Sequence, residues 1–357
     1  MKIRLALIDS NDKYATRLLH YYANHYEDKL ELSYFTSFEK FKENLLSKNM
    51  DVLLISEQCD GDLTSLQGKM LTAYLTESLS IDSIHGIKAI CKYQKPDLIY
   101  KELLRMFAEY DSDSVTYRLG DLNKTAVDIF MPVSGGAGCS SLAAAHAGRI
   151  TEKGGKVLYL NTEKLPSTAC FFSGEGSGTF QDVIYAVKSR RPNLALKLES
   201  MVRQDESGVY FFEPSPNVLD MNELNAEETE QLLKELLAIG NYDRIVIDAD
   251  LNLEAHLKVY TKYAYRFVLV TEQSEMGMKK MEQLSQALML MEQGKQIDIS
   301  TKLNVICNKS DPHRETAYAG QIPIGEFVPV FPGNSMKQVQ EQMRRYPILQ
   351  AAWKRQN

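Results

Sequence analysis

The sequence predicts an α/β chain built as two doubly wound domains. Short apolar, strand-like runs alternate with helix-period stretches almost from end to end, the pattern of parallel sheets covered by helices. With 357 residues the chain is long enough for two domains of ordinary size. A polar stretch at Tyr110–Lys124, YDSDSVTYRLGDLNK, lacks any apolar period, and the alternation restarts after it. The expected division is therefore a first domain over 1–107, a linker over 108–125 and a second domain over 126–357. There is no tandem repeat and no low-complexity tract.

In the first domain, Lys2–Ile8 reads as a strand and Asn11–Tyr26 has helical apolar spacing. Leu30–Phe35 is the next strand, Ser37–Leu46 a helix and Val52–Ile55 a short, wholly apolar strand. Met70–Leu75 and Lys88–Cys91 supply two more strands. Pro96, tolerated in a first helical turn, opens a last helix through Phe107. Five strands alternating with helices fit a flavodoxin-like doubly wound sheet. In the second domain a strand at Ala126–Val133 leads into a glycine-rich turn and an alanine-rich helix, and further α/β units run on from there.

Composition narrows the function. Hydrophobic residues make up 44% and charged residues 25%, ordinary for a core-forming protein. Lys+Arg is 41 and Asp+Glu 47, so 41 − 47 = −6, which argues against a dedicated nucleic-acid coat. No apolar run reaches the ~18–20 residues of a membrane-spanning helix. The opening MKIRLALIDSNDKY turns acidic too early for a secretory signal. Five scattered cysteines (Cys59, Cys91, Cys139, Cys170, Cys307) form no CxxC pair, which fits reduced thiols in a cytoplasm. The six histidines form no HExxH, and nothing reads as a metalloenzyme.

The first domain resembles the receiver domain of response regulators. Receivers carry acids after strand one, a phosphorylated Asp ending strand three, a Ser/Thr ending strand four and Lys-Pro after strand five. Here those positions hold Asp9, Ser56 with Glu57 beside it, Thr76, and Lys95 before Pro96. The acceptor carboxylate is the nucleophile of receiver chemistry, and a serine with no adjacent base is a poor replacement. The resemblance thus implies a pseudo-receiver used for docking or dimerisation. A working phospho-switch is the alternative, and Lys95 has a plain reading as a solvated lysine.

The most informative segment is DIFMPVSGGAGCSSLAAAHAGR, Asp128–Arg149. Glycines at Gly135, Gly136 and Gly138 let main-chain N–H groups approach an anion closely, and the following helix N-terminus adds partial positive charge. Strand, glycine-rich loop and helix together are the context of a phosphate-binding loop. The alternative is a small-residue turn that packs a strand tightly on a helix.

Several later segments, in order, make the second domain resemble the ParA/MinD family of deviant P-loop ATPases. That family's loop reads KGGxGK[ST][ST], so Ser134 and Cys139 stand at both lysine positions. KVLYLNTE matches the strand ending in an Asp-x-Asp pair, here Asn161 and Glu163. The capped helix NAEETEQLLKELLAIG precedes YDRIVIDAD, whose metal-side acid would be Asp248. FVLVTEQSEMGMKKMEQL matches the next strand and helix, and NVICNKSD the segment whose Asn, here Asn308, reads adenine. A pseudo-receiver joined to such a domain is similar to the TadZ/CpaE group, which serves Tad (Flp) pilus assembly and helps place it at a cell pole. YFFEPSPN and VTEQSE also fit that group.

The resemblance implies ATP or ADP as ligand, with Mg²⁺ where metal is bound. Main chain from Ser134 and Gly135 through Ala137 to Cys139 would hold the phosphates. Ser140 would bind Mg²⁺ or the β-phosphate, Ser141 the α-phosphate, and Asp248 metal-bound water. Plain alternatives are helix caps for Ser140 and Ser141, a cap on the next helix for Asp248, and a loop residue bonded to its own backbone for Asn308. A helix N-terminus would lower the Cys139 thiol pKa, but no base or partner thiol accompanies it.

Losing one lysine should weaken ATP about tenfold to a hundredfold, since a charge-assisted hydrogen bond contributes ~1.5–3 kcal/mol. Hydrolysis should suffer more, because phosphoryl transfer needs fixed positive charge where negative charge develops. Glu163 and Asp248 are the only catalytic candidates. The expectation is ATP binding without significant hydrolysis, in a homodimeric cytoplasmic scaffold for pilus or secretion components, at a pole and peripheral to the inner membrane. The competing functions are an active partition or division-site ATPase and a phospho-regulated response regulator. The tail MKQVQEQMRRYPILQAAWKRQN and Lys188–Arg191 could touch membrane or DNA. A packed terminal helix and a solvated surface are the expected readings.

Overall fold

The computed structural model describes residues 2–45, 49–59, 61–66, 68–110, 125–190, 193–313 and 318–347. They fall into two compact units, bounded at Met1–Leu119 with Arg190–Ser200 and at Gly120–Ser189 with Met201–Asn357. Most of the expected linker, 111–124, lies outside the described residues, as do Arg191 and the tail from 348.

The first unit runs β1 (Ile3–Ile8), α1 (Asp12–His25), β2 (Leu30–Phe35), α2 (Phe38–Leu45), β3 (Val52–Ser56), β4 (Leu71–Thr76), β5 (Ser83–Ile84), β6 (Ile87–Cys91) and α3 (Pro96–Tyr110). Its sheet order is β2-β1-β3-β4-β6-β5, parallel except for the β5–β6 pair. The period-two alternation of strands decides which side chains meet which helices. Ile3, Leu5, Leu7, Val52 and Leu54 face Ala15, Leu18, Leu103 and Phe107 of α1 and α3. Ala6, Ile8, Leu53 and Ile55 face Phe38 and Phe41 of α2. Asn11 caps α1 by accepting from the Tyr14 amide. Asp97 accepts from the hydroxyls of Tyr21 and Tyr26, which ties α3 to α1.

The five expected strands form, but helices do not alternate with all of them. A single turn of 3₁₀ helix, Leu63–Leu66, joins β3 to β4. Between β4 and β6 there is only the hairpin strand β5, turned by His85 and Gly86 with φ of 50° and 79°. Two successive positive φ values make a tight hairpin whose twist matches its strands. The physical reason is local. ESLSIDSIHG lacks a helical apolar period, and Ile84-His85-Gly86-Ile87 is a hairpin signal.

The second unit runs β7 (Ala126–Pro132), α4 (Cys139–Glu152), β8 (Val157–Asn161), α5 (Phe180–Lys188), α6 (Leu194–Met201, grouped through Ser200 with the first unit), β9 (Arg203–Gln204), β10 (Tyr210–Phe211), α7 (Ala226–Ile239), β11 (Arg244–Asp248), α8 (Ala255–Tyr263), β12 (Arg266–Glu272), α9 (Glu275–Gln293), β13 (Leu303–Ser310), β14 (Glu326–Pro329) and α10 (Met336–Arg345). The sheet order is β14-β13-β12-β7-β11-β8-β10-β9, parallel but for β9–β10. Winding reverses beside β7, and such a switch point leaves a crevice at the carboxyl ends of the strands.

Small residues let α4 lie close on this sheet. Ala143, Ala144, Ala145 and Ala147 are all buried among Phe130, Tyr159 and Val268. At the other end of β7, Asp128 accepts from Arg244 at 2.8 Å and lies 2.9 Å from His146 Nε2 on α4. Burial opposes that carboxylate's charge, yet His146 and Arg244 hold its pKa below the usual range. α7 carries a capping box, Asn225 with Glu228, and ends at Gly240 with φ of 64°. The tail helix α10 packs on α4, where Gln340 donates to the Ser141 carbonyl at 2.9 Å. Of the methionines in α9, Met278 and Met281 are buried while Met276 is exposed.

Candidate functional site

In the first unit, β1, β3, β4 and β6 end together, and four side chains collect at or just beyond those ends. Asp9 is fully buried; its Oδ1 accepts from the Asn11 amide at 2.8 Å, while Oδ2 has no hydrogen-bond partner among the described residues. Ser56 is buried and its hydroxyl oxygen faces the Gln58 amide at 3.4 Å. Thr76 is buried and donates to the Ser78 carbonyl. Glu57 turns away to accept from the Glu77 amide at 2.7 Å.

The buried lysine beside these side chains is Lys92, whereas Lys95, which the sequence points to, is exposed. Lys92 directly follows β6, is buried, and sits 2.9 Å from the Glu77 carboxylate. Burial opposes its charge, but Glu77 and Asp9 raise the ammonium pKa above its ordinary value. Lys95 instead lends its carbonyl to the first turn of α3, accepting from Leu98 and Ile99. The signal for Lys92 is its place one residue past an apolar strand. These strand ends therefore carry a buried acid and a buried cation, with a hydroxyl at Ser56.

In the second unit the glycine-rich loop occupies the carboxyl end of β7. Gly136 and Gly138 have φ of 77° and 82°, a region that costs other residues ~1–2 kcal/mol. Gly138 is the N-cap of α4 and no side chain caps this helix, so its first amides are left for a ligand. Ser140 and Ser141 accordingly do not cap it. The Ser140 hydroxyl donates to Glu163 at 3.1 Å, and that of Ser141 faces Met336 Sδ at 3.9 Å.

The loop opens onto a cleft of about 550 Å³. Gly135 through Ser141, Glu163 and Asp250 line it, and Pro329, Phe331, Met336, Val339 and Met343 add apolar surface. Ser134 and Asp248 lie just outside this lining. The Ser134 hydroxyl is buried without a hydrogen-bond partner among the described residues.

Asn308 reaches in from β13. Its Nδ2 donates to the Ala137 carbonyl at 2.8 Å, and its buried Oδ1 has no partner among the described residues. A Cβ at Gly138 would meet that Nδ2 at 2.5 Å, so glycine there is a requirement of close approach. Lys309 follows, with Nζ 2.5 Å from the Gly136 carbonyl. Register with β14 shifts between Cys307 and Ser310, and Lys309 has φ of 54°. A bulge of this kind re-aims a side chain. Sequence reasoning misses Lys309 because a lysine near a strand end reads as solvated.

Around Asp248 the cleft is acidic. Tyr159 donates to Asp248 Oδ2 at 2.7 Å, and Asp248 Oδ1 is buried with no partner among the described residues. Burial and the nearby Glu163 carboxylate push the Asp248 pKa up to about 7. Asn161 Nδ2 lies 2.9 Å from Glu163 and 3.4 Å from Asp248. An Asp at that position would add a third carboxylate where the amide now donates. Cys139, the first residue of α4, is buried, and burial together with Asp248, Glu163 and Asp250 pushes its thiol pKa well up. This reverses the lowering that a helix N-terminus alone would give.

The donor set fits a hard cation. The Ser140 hydroxyl, the unpartnered Asp248 Oδ1 and Glu163 are all oxygens. Among the described residues no three His, Cys, Asp or Glu side chains form a metal-holding group. Mg²⁺ here would therefore draw on phosphate and water oxygens as well.

Residues 1–108 match the family model described as TadZ-like, receiver domain. That match falls on the N-terminal unit. No curated protein matches the chain. Among solved structures, the chain is similar to a ParA family ATPase from Chlorobium tepidum TLS, at 18% identity over 64% of this chain and 93% of that one, with a TM-score of 0.47. It is also similar to the septum site-determining protein MinD from Pyrococcus horikoshii OT3, complexed with Mg-ADP, at 18% identity over 61% and 85%, TM-score 0.45. A third is a cobyrinic acid a,c-diamide synthase from Mycobacterium smegmatis with bound ADP and magnesium, at 13% identity over 61% and 92%, TM-score 0.45.

Proposed function

We propose that this chain is an ATP-binding, hydrolysis-deficient scaffold of the ParA/MinD type that helps place Tad (Flp) pilus assembly machinery at a cell pole. The observation that carries the nucleotide half is the uncapped α4 N-terminus behind a glycine cradle without lysine. The TadZ-like receiver supports the pilus half. Main-chain amides from Gly135 to Cys139 hold the phosphates, with Ser140 and Ser141 hydroxyls beside them. The buried Oδ1 of Asn308 accepts from an adenine amino group, and the apolar side chains lining the cleft pack the base. Ser140 and Asp248 would hold Mg²⁺, which would supply neutralisation of phosphate charge beside the acids.

Hydrolysis fails because the loop itself carries neither lysine. Ser134 and Cys139 cannot stabilise charge developing on a transferring phosphoryl group. The nucleotide is then a structural ligand that stabilises the form binding it. The protein works as a homodimer in the cytoplasm, peripheral to the inner membrane, and recruits pilus or secretion components. Ser56 makes the first unit a docking module and not a phospho-switch.

The test is nucleotide analysis of freshly purified protein, followed by light scattering with and without ATP. Bound adenine nucleotide and an ATP-dependent dimer support the reading. Foci of tagged protein that form regardless of pilus components would refute the placement role.

A further inference from the structure

We infer that Lys309 is the cation that serves the triphosphate in place of the two lysines the loop has lost. This rests on the nucleotide reading above and deepens it. Of the described residues lining the cleft, Lys309 is the only one with a positive charge; the lining also carries Glu163 and Asp250 and is otherwise neutral. It is exposed, so its ammonium is free to move, and it lies 2.5 Å from the Gly136 carbonyl at the outer turn of the loop.

Two independent backbone features put it there. The β13–β14 register shifts across Asn308 and Lys309, and Lys309 adopts a left-handed φ of 54° that a non-glycine residue takes only under constraint. In a regular strand, successive side chains point to opposite faces, so Asn308 and Lys309 could not both serve one loop. With the bulge, Asn308 Nδ2 bonds the Ala137 carbonyl and Lys309 Nζ the neighbouring Gly136 carbonyl. The bulge thus delivers an amide and an ammonium to adjacent loop residues. A triphosphate seated on the loop amides brings its charge beside that ammonium, which shifts from the neutral carbonyl to the stronger acceptor.

The experiment measures ATP, ADP and AMP affinities of nucleotide-stripped wild type, Lys309→Met and Lys309→Arg by competition with a fluorescent ATP analogue. Met keeps the apolar stem and removes the charge; Arg restores charge. Lys309→Met should bind ATP about tenfold more weakly or worse, ADP less affected, and AMP within about twofold, with Arg recovering most of the loss. Equal ATP affinity in Lys309→Met, or an equal loss for ATP and AMP, overturns the inference while leaving the nucleotide site standing. A wild-type protein that binds none of the three overturns both. Circular dichroism of each variant checks that the fold is kept.

Discussion

Asp248 shows what a buried carboxyl costs the fold. Its carboxyl is fully buried, one oxygen lacks a partner, and its pKa rises from the ordinary 3.8 to about 7. The folded protein then binds this proton more tightly than the unfolded chain does. The contribution is fully present below pH ~4 and is lost as pH rises through 7. At most about 4 kcal/mol is involved. In metal-free protein, Asp248→Asn should remove that part of the decline in urea midpoint between pH 5 and 8. A variant whose midpoint falls like wild type would contradict the assignment. At the loop, Cys139→Lys should tighten MgATP about tenfold or more while leaving turnover negligible, because Ser134 and Asn161 remain. Calorimetry and a phosphate-release assay check both halves.

The loop and its supports act as one element. Gly138 combines a φ of 82° with a 2.5 Å approach to Asn308 for any added Cβ. Gly138→Ala should cost about 1–2 kcal/mol of stability and abolish the rise in Tm that nucleotide gives. Scanning calorimetry with and without MgATP reads both effects. Beneath the loop helix, Asp128→Ala would leave Arg244 and His146 facing a void, and removing one partner of such a buried pair costs ~3–5 kcal/mol. A denaturant titration in which Asp128→Ala loses under 1 kcal/mol would contradict that view of the network. Much of this scale was legible in the sequence, because glycine spacing, the apolar strand before it and the alanine face after it are local signals. Three things were not. The bulge that turns Lys309 arises from pairing between β13 and β14. The Tyr159 hydroxyl reaches Asp248 across strands 89 residues apart in sequence. Lys92 instead of Lys95 depends on where β6 stops.

For the whole molecule, period and spacing revealed two α/β units, and the motif order told them apart. The absent helices of the first unit escaped notice because strand count alone does not say what joins the strands. Ser56 carries the molecule-level prediction for that unit. Acetyl phosphate should leave it without stoichiometric phosphate by intact-mass analysis, and one phosphate per chain would make it a working switch. The central claim is that main chain and one imported cation seat a nucleotide that is not turned over. Incubating stripped protein with MgATP, isolating it rapidly, and quantifying bound nucleotide and released phosphate together tests this most directly. The account predicts near-stoichiometric, intact ATP on the protein. It is contradicted by protein that retains no nucleotide, or by phosphate release near ~1 per second that Asp248→Ala abolishes.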